Sequence, residues 1–105
     1  LIHILNERFG TDFTQADQLF FEQIQEEAIE SETLRKAAAS NSKEDFRYVF
    51  EKAFEGLVID RMDGNEDIFG KLMSDGEFRR LAMEHLLHKV YGALKGRGGP
   101  DQSRI

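Results

Sequence analysis

The chain has no cysteine and no tryptophan, and it has only one proline. Without thiols it can build neither a disulfide framework nor a thiolate zinc site, which fits a cytoplasmic location. No apolar run approaches the roughly 18 residues that a membrane helix needs, and the opening residues do not read as a signal peptide, so we expect a soluble chain without a membrane partner. Basic charge is also scarce. Of the formal net charge of −6, residues 1–40 carry −5, residues 41–75 carry −4 and residues 76–105 carry +3. Sequence-independent binding to nucleic acid draws on clustered Lys and Arg that displace phosphate counterions, so autonomous DNA binding is not expected.

What is present suits a helical core. Nine phenylalanines supply most of the aromatic content of 105 residues, a length suited to one domain that buries most of its apolar surface. Apolar residues recur with period 3.6 and strict alternation is absent, which predicts an all-α protein, a compact helical bundle of about four to six helices over residues 1–95, followed by a flexible tail over 96–105. A first helix spans Leu1 to Phe9 and stops at Gly10 in a left-handed conformation. Thr14, with Asp17 three residues on, opens a second helix in a variant of the capping box, and that helix runs to about Glu30. At 100° per residue, Ala16, Phe20, Phe21, Ile24 and Ala28 fall on one arc, while Leu19 and Ile29 fall outside it.

A short helical piece is expected around Thr33 to Ala39. Asn41 or Ser42 then caps a long helix reaching about Met62, with a core stripe of Phe46, Val49, Phe50, Ala53, Phe54, Leu57 and Val58. Asp63-Gly64-Asn65 breaks it, and Asn65 caps a short helix holding Ile68, Phe69, Leu72 and Met73. Ser74 and Glu77 read as a second capping box opening the last helix. That helix carries a broad apolar face from Phe78 to Leu94, and Gly96-Arg97-Gly98-Gly99-Pro100 ends it.

Catalytic patterns fail one by one. A Mg²⁺-dependent nuclease needs an acidic residue plus a (Asp/Glu)-x-Lys triplet, yet Leu34, Asn41, Phe50, Phe69, Leu87 and Ala93 stand two positions before the six lysines. Gly64 and Gly70-Lys71 imitate a phosphate loop, but the spacing is one residue too long and Leu72 occupies the Mg²⁺-binding Ser/Thr position. The acidic stretch Asp60 to Asp67 fails as a calcium loop, because aligning Gly64 with the obligatory glycine places Ile59, Arg61 and Gly70 at ligand positions. It reads instead as a capped helix break, in which Arg61 pairs with a nearby carboxylate. His85 and His88 can share a helix face without a third ligand, and no Ser-His-Asp arrangement can be nominated. No catalytic, cofactor-binding or metal-ligating residue is therefore expected.

The run Leu5-Asn6-Glu7-Arg8-Phe9-Gly10-Thr11-Asp12-Phe13-Thr14-Gln15-Ala16-Asp17-Gln18-Leu19-Phe20-Phe21-Glu22 resembles the opening of the C-terminal helical region in restriction (R) subunits of type I restriction-modification enzymes. The resemblance recurs from Leu57 to Phe69 and at Asp75-Gly76-Glu77-Phe78-Arg79. It implies that the chain belongs to a larger subunit whose nuclease and ATP-driven DNA-translocating motor domains lie upstream. An opening already inside an apolar helical run, without an initiator Met, agrees with that expectation. On this reading ATP, Mg²⁺ and DNA belong to the complete enzyme, and the helical piece contributes to assembly with the methyltransferase subunit. Every catalytic signature of the family is missing here. The alternative reading is a free-standing acidic helical protein-interaction module.

Two groups of apolar side chains lie off the core stripes and are candidate partner-binding positions: Tyr48, Ile59 and Met62 on the long helix, and Leu19 beside Glu22 and Glu26 on the second. A neighbouring helix covering the long-helix group is the competing expectation. The glutamates from Glu22 to Glu32 read as a solvated face that could meet a basic partner. Arg97 and Arg104 read as part of a solvated tail that could touch phosphates within a complex.

Overall fold

A computed structural model of the chain describes residues 1–40 and 42–98, with side chains as far as residue 96. Among these it holds six helices and no strand: α1 (Ile2–Phe9), α2 (Gln15–Glu30), α3 (Glu32–Ser40), α4 (Lys43–Asp60), α5 (Glu66–Ser74) and α6 (Gly76–Gly98). The all-α reading holds, and α6 touches each of the other five helices.

The core follows from the phenylalanine spacing. Phe20 and Phe21 of α2, Phe46 and Phe50 of α4 and Phe78 of α6 are essentially solvent-free, and Phe50 stacks between Phe46 and Phe54 at centroid distances of 5.9 and 6.0 Å. Burial of each such ring stabilises the fold by about 1.5–3 kcal/mol. No polar or charged residue is buried among the described positions. Ala16 departs from its assignment and is exposed. It sits roughly 95° from the centre of the arc defined by Phe20, Phe21, Ile24 and Ala28, too far round for a methyl group to reach the interior.

The joints between helices depend on single side chains. Gly10 adopts φ 66°, and its N–H closes on the Asn6 carbonyl at 2.9 Å. The Asn6 side chain then satisfies both backbone groups of Phe13: Nδ2 donates to its carbonyl and Oδ1 accepts from its N–H, each at 2.9 Å, while the Thr11 hydroxyl donates to the same Oδ1 at 2.8 Å. This clamp folds α1 onto α2 and sets the rings of Phe9 and Phe13 edge-on to Phe78, at 5.2 and 5.8 Å. Asp17 accepts the Thr14 N–H at 3.1 Å, as the variant capping box requires.

Two junctions and one helix end correct the sequence reading. Asn65 occupies the N-cap position of α5 as expected, yet its side-chain amide turns back and donates to the Arg61 carbonyl at 2.9 Å, closing the end of α4 without bonding the free amides of α5. Ser74 is the last residue of α5, and Asp75 caps α6 by accepting the N–H groups of Glu77 and Phe78 at 3.1 and 3.2 Å. A carboxylate one residue ahead of the helix reaches those amides, whereas Ser74 still belongs to the last turn of α5. Helix α6 continues to Gly98, so the order assigned to residues 1–95 extends three residues further. Ser42 caps α4, accepting the Asp45 N–H at 3.2 Å; the alternative cap, Asn41, lies outside the described residues, as does the tail from 99 to 105.

Candidate functional site

The two groups nominated as partner-binding positions are both exposed. Leu19 is 54 % exposed on the outer face of α2, and Glu22 and Glu26 stand on the same face one and two turns further on. Tyr48, Ile59 and Met62 are 63, 48 and 39 % exposed, so no neighbouring helix covers them, contrary to the competing expectation. They do not form one patch. Tyr48 and Ile59 are eleven residues apart, about 16 Å along the axis, with Lys52 and Glu55 between them on the same face. Lys52 lies over the Tyr48 ring at 5.0 Å and further screens it from an apolar partner.

A better-defined feature lies along the seam between α4 and α6. The two helices run antiparallel, and their facing charged residues form rungs spaced four residues apart. Lys43 Nζ meets His88 Nδ1 at 3.1 Å, and one turn on Arg47 pairs with Glu84. With Lys43 as donor, Nδ1 must accept, which leaves the imidazole proton on Nε2 and directs it toward Glu84 Oε1, 4.0 Å away. Phe46 and Tyr91 close the seam behind these rungs, with centroids 5.0 Å apart. Lys95 extends past Tyr91 to donate to the Ala38 carbonyl at 3.1 Å, tying the end of α3 to α6.

The next rung in register would join Glu51 to Arg80. Instead the seam opens into a groove of about 900 Å³ between the second half of α4, the end of α5 and the start of α6. Phe54, Met73 and Met83 contribute to its apolar lining. Glu51 and Glu55 stand on the α4 wall, and Lys71, Arg79 and Arg80 on the opposite one, where they outnumber Asp75 and Glu77. Lys71 is held by Asp75 at 3.2 Å; Glu51, Glu55, Arg79 and Arg80 enter no ion pair among the described residues.

The remaining chemistry-bearing residues have structural partners. Arg61, expected to pair with a carboxylate, bridges from the end of α4 to α2, with Nη2 3.2 Å from Glu27 Oε1 and Nη1 donating to Gln23 Oε1 at 3.1 Å. Glu66 accepts the Gly64 N–H at 3.1 Å, and hydrogen bonds from its own N–H and that of Gly64 hold its carboxyl below the usual range. The Phe78 N–H does most to lower the pKa of Asp75, assisted by Lys71. Half-buried His85 is shifted downward chiefly by desolvation, with Lys89 and His88 adding to it. Among the described residues no three His, Asp or Glu side chains converge on a metal-sized site, and no helix is long and apolar enough to cross a membrane.

Sequence reasoning missed the Asn6 clamp, the Asp75 cap and the groove. Asn6 carries a weak signal, since an Asn four residues ahead of a helix-ending glycine can reach the turn that follows. The groove carries none, because it depends on how three helices diverge.

No family model, curated protein or solved structure matches the chain.

Proposed function

We propose that the chain is a non-catalytic helical assembly domain, similar to the C-terminal region of a type I restriction subunit, which helps join an ATP-dependent DNA-translocating and DNA-cleaving subunit to its methyltransferase partner in the cytoplasm. The observation that carries the reading is where the resembling residues fall. The stretch from Leu5 to Glu22 is the clamped α1–α2 hairpin, that from Leu57 to Phe69 contains the Arg61 and Asn65 junctions, and Asp75 to Arg79 contains the cap of α6. Residues at such junctions hold a shape, and a fold in which no polar or charged residue is wholly buried among the described positions serves contact more readily than catalysis. ATP, Mg²⁺ and DNA engage upstream motor and nuclease domains of the parent subunit.

The test is assembly of the complete restriction subunit with its methyltransferase, using Leu19→Asp and Ile59→Asp separately after confirming that each variant folds. Weakened assembly by either is expected. Unchanged affinity for both would remove these surfaces from the interface, and normal assembly of a subunit lacking the whole domain would overturn the docking role. A free-standing acidic interaction module is the second reading, supported by the exposed glutamates along α2; an encoding gene that begins near Leu1 would favour it.

A further inference from the structure

We infer that the groove between α4, α5 and α6 is the seat of one amphipathic helix from a partner chain, presenting basic residues to α4 and acidic residues to the α5–α6 wall. The α4–α6 register is the first ground. Rungs at Lys43/His88 and Arg47/Glu84 are closed, and the same four-residue step brings Glu51 opposite Arg80 with no ion pair between them. Opposite charges facing each other across an open space leave both walls able to take a partner's charges. An occupant bearing both signs, on separate edges, complements both walls at once.

Shape and lining point to a helix. The walls are themselves helices, and from Glu51 to Val58 the α4 frontage is about 10 Å, or two turns of an inserted helix. Half-buried Met73 offers an unbranched, adaptable side chain to an apolar stripe, over Met83 and Phe54, which are already buried in the core beneath. Ile59, 48 % exposed, lies further round α4 from the groove than Glu55, where a longer helix could reach it. This names a surface and a partner geometry that the assembly reading leaves open. It is tested on the present chain alone, so either can fail without the other.

The probe is a pair of synthetic 18-residue helical peptides of identical composition. Both carry a leucine stripe; one has Lys on the edge facing α4 and Glu on the other, and its isomer has the edges exchanged. Fluorescence anisotropy should show the first binding at least tenfold more tightly than the isomer. The Glu51→Lys/Arg80→Glu double variant, which keeps the net charge, should erase the preference, because Glu55 and Arg79 then offset the new charges on their own walls. Equal binding of the two peptides, or no binding, overturns the inference. So does a tight Glu51–Arg80 pair detected in the free protein by a double-mutant cycle. A concentration-dependent dimer, abolished by Arg80→Glu in sedimentation, also overturns it, because the groove then serves a second copy of the chain. Should the double variant fail to fold, Arg79→Gln with the same peptides replaces it, and undiminished discrimination by that variant counts against the charged wall.

Discussion

The two halves of the α4–α6 seam are built from similar residues and end differently. At one end, Lys43, Arg47, Glu84 and His88 join across the helices, and at the other Glu51 and Arg80 remain apart over a groove. Charge does not account for the difference, since each half could form opposite-charge pairs. The closed half has Phe46 against Tyr91 behind its charges, at 5.0 Å. At the open half the corresponding space is bordered by the end of α5, with Met73 and Asp75 on the groove wall. Aromatic packing sets the spacing of the helices, and the surface ion pairs form where that spacing lets them.

Removal of the packing common to both halves should have the largest effect. Phe50 lies between Phe46 and Phe54, so Phe50→Ala should cost about 3–5 kcal/mol. A loss below about 1 kcal/mol in urea melts would mean that the stack does not set the helix spacing. Next is Asn6→Ala, which removes the clamp on Phe13 and loosens the rings that hold Phe78 at the start of α6. About 1–3 kcal/mol is expected, because it strands partly buried backbone groups. A cost near zero would show that water replaces the amide without strain.

Arg47→Ala tests the closed rung directly. The pair is about one-third exposed, so the loss should stay within about 0.2–1 kcal/mol and shrink with added salt. A larger, salt-independent loss would assign the closure to charge and reverse the comparison. The smallest effect concerns acid. The carboxyls of Asp75 and Glu66 titrate below their usual range in the folded chain, so the stability they contribute is complete above roughly pH 5 and is lost as pH falls through their folded values. Urea midpoints measured from pH 6 to pH 2.5 should fall in that window, and less steeply for Asp75→Asn. Identical slopes for the two proteins would detach the α6 cap from acid sensitivity.

The helices and most of their buried faces were legible because each depends on spacing within one segment. Phe46, Phe50, Phe54 and Val58 lie four apart and all reach the interior. Arg61 was readable as a pairing residue, although its partner Glu27 belongs to another helix. The junctions were less readable. Asn65 and Ser74 stand beside helix starts, and sequence alone does not say whether Asn65 turns forward or back, or that Asp75 outreaches Ser74. The exposed apolar residues could be nominated but not grouped: Tyr48 and Ile59 share a helical face, and only the geometry shows Lys52 over the Tyr48 ring. The groove was beyond reach, as no local pattern records where two helices part.

Because α6 touches each of the other five helices, it is also the strut on which the rest of the core is assembled. During synthesis, α1 to α5 leave the ribosome before the surface they share exists. At about 5–20 residues per second, the 23 residues of α6 add only seconds to that wait. For that interval Phe20, Phe21, Phe46 and Phe50 lack a complete lining, and nascent chains stalled near Asp75 should be protease-sensitive and in need of a chaperone. The domain therefore gains its protection in one late step, when its longest helix becomes available.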